Sequence, residues 1–322
     1  MLNMKNSLFI SLLALFLFFS CNNKSENTLT IFHAGSLSLP MKVIADSFKL
    51  INPGVTIQLE AAGSVECARK ITELNRQCDV MASADYKIID NLLIPDYADW
   101  NILFSGNEMA LVHTKKSRYA NEISKDNWFE ILLKPDVSYG RSDPNADPCG
   151  YRTLLTLQLA EHYYKKPNLT NDITHKDNRF IRPKEVDLIA LLETGTIDYI
   201  FLYRSVAVQH GLEYLSLPSE INLGNPFYSE DYSQVQVRIR GSSLGDTLLI
   251  KGEPMVYGLT IPKNAPNKKL AGEFIKYFLD PKKGLKIIEQ MGMPPLNPLI
   301  IINDKCKDDI LLEQIVAINR YE

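Results

Sequence analysis

Phe32-His33-Ala34-Gly35-Ser36-Leu37-Ser38-Leu39-Pro40 decides how the rest of the chain is read. Upstream, Leu29 and Ile31 alternate with Thr28 and Thr30, an apolar and β-branched pattern that predicts a strand. The pattern stops at Ala34-Gly35-Ser36, and Met41 to Leu50 then places Val43, Ile44 and Phe48 at helical spacing. Gly35 and Ser36 therefore stand near a helix N-terminus, where free backbone N–H groups and the helix dipole favour an anion. An ordinary strand-to-helix turn has the same pattern, so this stretch alone leaves both readings open.

The arrangement occurs again about thirty residues on. Val55 to Glu60 predicts a second strand, Ala61-Ala62-Gly63-Ser64 a second small-residue turn, and Val65 to Asn75 a second helix. Two strand–turn–helix units in succession build a parallel α/β sheet, with ligand groups gathered at the carboxyl ends of its strands. Asp79 to Asp85 predicts a third short strand and its turn, and Met109 to His113 another strand, followed by the basic, polar Thr114 to Arg118. Trp128 to Leu133 is predicted to be helical, burying Trp128, Ile131 and Leu132.

Ser138 to Arg152 carries two Asp-Pro pairs and two glycines, which predict a rigid loop before a helix over Thr153 to Lys165. Within it, Asp147 has two readings: a carboxylate that coordinates a metal centre, or a cap for a helix beginning near Gly150. Lys184 to Glu193 predicts an amphipathic helix stopped at Gly195. Strands follow at Tyr199 to Tyr203, Gln234 to Ile239 and Met255 to Ile261, with Arg204 to Ala207 beginning a turn. Leu270 to Leu279 and Lys283 to Met291 predict closing helices on either side of Pro281.

The 322 residues suffice for two domains. Charged residues are 23% of the chain and 35 basic face 38 acidic side chains, a balance that carries no nucleic-acid footprint. At the N-terminus, Lys5, the apolar run Leu8 to Phe19 and Leu17-Phe18-Phe19-Ser20-Cys21 resemble a bacterial lipoprotein signal. That resemblance implies a signal peptide over residues 1–20, lipidation of Cys21 and a polar tether over 21–27; a cleaved secretory signal with an incidental cysteine is the alternative. Cys67, Cys78, Cys149 and Cys306 make no Cys-x-x-Cys pair and have no zinc-ligand spacing, and whether they are paired or free stays open.

Together the motifs Phe32 to Leu37, Ala62-Gly63-Ser64, Asp79 to Asp85, Asp143 to Arg152 and Tyr203-Arg204-Ser205-Val206-Ala207 resemble the tungstate/molybdate-binding proteins of ABC importers. The similarity runs in order from about residue 28 to about residue 300. It implies an α/β, two-lobed periplasmic-binding-protein fold of type II, each lobe a sheet flanked by helices. Residues 28–108 with 258–322 would form the first lobe and 111–254 the second, with a hinge of two crossing strands near Ala110 and Tyr257.

Carried over by position, Gly35, Ser36, Gly63 and Ser64 would bind the oxyanion from the first lobe and Asp147 and Tyr203 from the second, Asp147 as a direct ligand to tungsten or molybdenum. Tyr203 could equally be a core tyrosine. A second metal-binding carboxylate, as some members of the family use, would align with Leu202, so the chain departs from the two-carboxylate pattern unless Glu213 or Glu220 downstream supplies the second group. The resemblance further implies a monomer without a cofactor, anchored at the periplasmic or cell-surface face of the membrane and partnered by a permease and an ATPase. The alternatives are a binding protein for sulfate or phosphate, iron binding through Tyr203 and Tyr151, and an enzyme using Cys149. The enzyme lacks a histidine placed by any motif, since His33, His113, His162, His175 and His210 are scattered.

Overall fold

The computed structural model describes residues 27–176, 178–241, 245–302 and 313–314. Cys21, the leader before it and Cys306 lie outside the described residues. In chain order the strands are β1 (Thr28–Ala34), β2 (Thr56–Ala62), β3 (Val80–Ser83), β4 (Asn101–Gly106), β5 (Met109–His113), β6 (Tyr139–Ser142), β7 (Ile181–Arg182), β8 (Tyr199–Tyr203), β9 (Glu213–Ser216), β10 (Gln236–Arg240), β11 (Thr247–Lys251), β12 (Val256–Thr260) and β13 (Pro295–Ile302). The helices used below are α1 (Ser38–Ile51), α2 (Ser64–Thr72), α3 (Tyr86–Leu92), α4 (Trp128–Leu132), α5 (Pro148–Tyr163) and α6 (Arg204–His210).

Two large sheets divide the chain, and β10 and β11 form a separate antiparallel pair. The first has the order β13-β4-β12-β3-β1-β2, with β1 parallel to both β2 and β3 and with β12 antiparallel to β3 and β4. The second has the order β7-β6-β8-β5-β9, with β6 parallel to β7 and β8 and with β5 antiparallel to β8 and β9. The chain passes from the first sheet to the second through Asn107 and Glu108 and returns between Lys251 and Val256. Among the described residues, no helix is long and apolar enough to cross a membrane.

β1 lies inside the first sheet between β3 and the edge strand β2, and Leu29, Ile31 and Phe32 are fully buried, as a parallel strand covered on both faces requires. α1 turns Met41, Ile44, Ala45 and Phe48 inward at helical spacing and leaves Val43 exposed. Phe48 meets Phe274 edge to face with centroids 5.3 Å apart, which seats α1 against the helix Lys268–Phe278. In the second lobe α4 buries Trp128, Ile131 and Leu132, and Trp128 packs edge to face on Phe201 of β8.

Three local expectations change. Tyr139 to Ser142 is strand β6 rather than loop, because its backbone pairs with both β7 and β8. Helix α5 begins at Pro148 rather than Thr153: proline is well suited to a first helical position, and Asp147 caps it. Lys184 to Glu193 splits into a 3-10 turn, Glu185–Leu188, and a short helix, Ile189–Glu193, with Gly195 at φ +72° closing it.

His33, on β1, is buried, and its Nδ1 lies 2.8 Å from the Ala34 carbonyl oxygen. Burial pushes its imidazole down to about 4. An unfolded histidine titrates near 6.5, so stability is full above that pH, falls as the unfolded chain alone takes up the proton, and levels off below about pH 4. Urea unfolding across this window is expected to show a loss on the order of 3 kcal/mol that His33→Gln largely abolishes.

Candidate functional site

The carboxyl ends of β1, β2 and β8 run straight into helical turns. After β1, the 3-10 turn Gly35–Leu37 leads into α1, and after β2, Gly63 is the uncapped N-cap of α2. Tyr203 at the end of β8 stands in the same position before α6, again with no side-chain cap. Each terminus leaves backbone N–H groups without intrahelical partners and a positive dipole end, so the local chemistry at all three favours negative charge.

Ser36, Ser64, Asp147, Glu185 and Tyr203 are all at most 1% exposed. Their hydrogen bonds have a common polarity. The Asn107 side-chain oxygen accepts from the Glu108 amide at 3.0 Å, which orients its NH2 group to donate to the Tyr257 hydroxyl, also at 3.0 Å. Tyr257 then donates to Ser36 Oγ at 2.9 Å. Ser64 Oγ accepts from the Ala84 amide at 2.9 Å, and the Tyr203 hydroxyl accepts from Arg152 Nη1 at 3.2 Å. Three hydroxyls thus accept from groups of the protein, and each keeps its own hydrogen for an acceptor in the cleft.

Asp147 caps α5: its Oδ1 accepts from the Cys149 amide at 3.1 Å, and its Oδ2 accepts from the Glu185 amide at 2.9 Å. The cap and the site reading are therefore compatible in one residue. Glu185, which no motif singled out, is the acid that stands beside Asp147. Both of its carboxylate oxygens are buried and have no hydrogen-bond partner among the described residues. Burial raises the Asp147 carboxyl, and burial reinforced by the Asp147 charge raises Glu185 well above the usual carboxylate range. In sequence its only signal was an acidic residue opening a predicted helix.

Neither acid named for a second carboxylate is buried. Leu202 is core, Glu213 lies exposed on β9 with Lys115 3.7 Å away, and Glu220 accepts from Tyr228 at 3.3 Å. Cys149 is fully buried, donates to the Phe201 carbonyl oxygen at 3.6 Å, and has its thiol pushed well up by burial, which removes the thiolate a nucleophile needs. Tyr151 and Tyr203 are engaged by Asp85 and Arg152, and burial raises both phenols, against the phenolate that iron would require. Cys67 and Cys78 are also buried and free.

Two glycines set how closely the lobes approach. A Cβ on Gly35 would stand 2.8 Å from Glu185 Oε2, and one on Gly63 would stand 2.1 Å from the Ala146 carbonyl oxygen. The Gly63 backbone, φ −60° and ψ 143°, is open to any residue, so it is the approach of Ala146 that excludes a side chain. Beside it the Glu66 amide of α2 donates across the cleft to the same Ala146 oxygen at 3.1 Å.

Residues 29–294 match the family described as bacterial extracellular solute-binding protein. A solute-binding protein of Petrotoga mobilis, itself uncharacterised, is 50% identical over 273 residues and 84% of each chain. The molybdate/tungstate-binding protein WtpA of Thermococcus kodakarensis is 43% identical over 303 residues, spanning 86% of this chain and 84% of its own. Among solved structures, the periplasmic molybdate-binding protein of Azotobacter vinelandii has a TM-score of 0.60 over 82% of this chain and 98% of that one; at 14% identity this likeness speaks for the fold alone.

Gly63→Ala is expected to leave each lobe folded while disfavouring the closed arrangement by about 2 kcal/mol. Small-angle scattering should then give a larger radius of gyration than the parent protein under ligand, with little change in the melting temperature of the free protein.

Proposed function

This chain belongs to the family of bacterial extracellular solute-binding proteins, and we propose that the solute it captures is tungstate or molybdate, delivered to an ABC importer. The observation that carries the reading is Glu185, whose two unpartnered oxygens lie buried beside a second carboxylate, Asp147. An anion that only accepts hydrogen bonds is repelled by such a pair. Tungsten(VI) and molybdenum(VI) centres accept further oxygen donors and expand from four to six ligands, which the sulfur of sulfate does not do. Hard carboxylate oxygens suit such a centre.

In this reading Ser36, Ser64 and Tyr203 donate hydrogen bonds to the oxo groups, with backbone amides at Gly35 and Gly63 adding to them. Asp147 and Glu185 bind the metal of the bound anion from the second lobe. The helix N-termini offset part of the concentrated negative charge. The protein then acts as a carrier rather than an enzyme: it holds the anion and presents it to a permease powered by an ATPase. Its family places it at the periplasmic or cell-surface side of the membrane; a lipid on Cys21 would tether it there as a monomer, and no separate cofactor is required.

Calorimetry is expected to give tight binding of tungstate and molybdate and little of sulfate; sulfate bound as tightly as tungstate would overturn the choice of ligand. Glu185→Gln, which keeps the shape and removes the charge, should weaken tungstate by about 100-fold. X-ray absorption at the tungsten edge should count six oxygen neighbours in the parent protein. The pair Ser36→Ala with Ser64→Ala should weaken every oxyanion while leaving the circular dichroism spectrum unchanged.

A further inference from the structure

Because the site is buried, a ligand enters only when the lobes part, and parting them breaks every contact that crosses between them. One set of these contacts is itself buried and charged. Tyr151 and Arg152 lie on α5 of the second lobe, whereas Ala84 and Asp85 lie between β3 and α3 of the first. The Tyr151 hydroxyl donates to Asp85 Oδ2 at 2.5 Å, and Arg152 Nη2 stands 3.2 Å from the same oxygen. Arg152 Nη1 donates to the Ala84 carbonyl oxygen at 2.7 Å and to the Tyr203 hydroxyl at 3.2 Å. Arg152 is the one buried lysine or arginine among the described residues.

These bonds link the two halves of the site. The Ala84 amide donates to Ser64 Oγ, its carbonyl accepts from Arg152, and Arg152 donates to Tyr203. We propose that Asp85, Tyr151 and Arg152 form an interlobe clasp that sets the lifetime of the closed, liganded state; the inference rests on the reading that the lobes close over an oxyanion. With the lobes apart, Asp85 and Arg152 are hydrated. On closure both lose water, and the loss is compensated only if the pair and its Tyr151 bond form together. A clasp built this way forms after encounter, so it acts on release rather than capture.

Besides the Glu66–Ala146 amide contact, further crossings lie at the rim, where Arg69 donates to the carbonyl oxygens of Asn145 and Arg240, each at 2.7 Å, and Arg240 pairs with Glu73 at 3.0 Å. Those bonds are exposed, and water replaces them at small cost. The buried clasp therefore carries the larger share.

Asp85 also caps α3, its Oδ1 accepting from the Lys87 amide at 3.0 Å. Asn caps a helix as well as Asp does, so Asp85→Asn removes the charge and keeps the helix. Tyr151→Phe removes only a hydroxyl. Stopped-flow fluorescence with tungstate on the full protein and both variants is the test, with melting of the free proteins as the control on folding. Each variant should speed dissociation about tenfold or more and leave association within about twofold. The double variant should lose less than the product of the two, because both bonds end on the same oxygen. Unchanged dissociation in both variants, or an equal loss in association, would overturn the clasp and leave the oxyanion reading standing. A parent protein that binds no tungstate would overturn that reading, and the clasp with it.

Discussion

Two carboxylates held together away from water are the constraint around which this cleft is organised. Asp147 and Glu185 are buried, burial raises the proton affinity of both, the Asp147 charge raises that of Glu185 further, and no side-chain donor reaches the Glu185 oxygens among the described residues. Such an arrangement is costly for a folded protein unless something in the cleft takes up the electron density of both groups. An oxyanion with an electrophilic metal centre does so. Under the proposed function the remainder of the cleft makes electrostatic sense: the helical turns that begin at Gly35 and Gly63, and three hydroxyls supplied with hydrogen bonds from behind, would serve the oxo groups while the carboxylates would serve the metal.

The same constraint explains why the lobes must come so close. Glu185 belongs to the second lobe, yet its Oε2 lies where a Cβ on Gly35 would be, and Ala146, next to Asp147, lies where a Cβ on Gly63 would be. Glycine at those two positions lets backbone from one lobe reach backbone and carboxylate of the other. Behind this contact, Asn107 and Tyr257 stand near the two chain crossings and orient Ser36, so the groups that bind and the segments that connect the lobes share one hydrogen-bonded path. Closure and ligand geometry are therefore mechanically linked in the fold.

Much of this was legible in the chain. β1, the turn at Gly35-Ser36, the repeated turn at Gly63-Ser64, strands β5 and β8 and the helices at both ends announce themselves by periodicity and small residues, because local backbone preference and burial agree there. Tyr139 to Ser142 was hidden by its glycine and arginine: it is a strand because of its partners β7 and β8, not because of its own propensity. Glu185 was hidden for a related reason. In Arg182-Pro183-Lys184-Glu185-Val186-Asp187 it looks like a helix-surface acid, and nothing local distinguishes it from Asp187, which is partly exposed and paired with Lys184 at 3.3 Å.

The sequence by itself determined the α/β class and the recurring strand–turn–helix unit, since these depend on residue types at fixed local spacing, while the two-lobed arrangement was implied by the family resemblance. It also marked Asp147, through the proline that follows and the capping chemistry of its position. Only the tertiary structure decided which acid faces Asp147, which arginine lies behind Tyr203 and which carbonyl meets Gly63. Those pairings join residues far apart in the chain; the first two are made by packing within the second lobe and the third by the docking of one lobe on the other, geometries that no local pattern of side chains encodes.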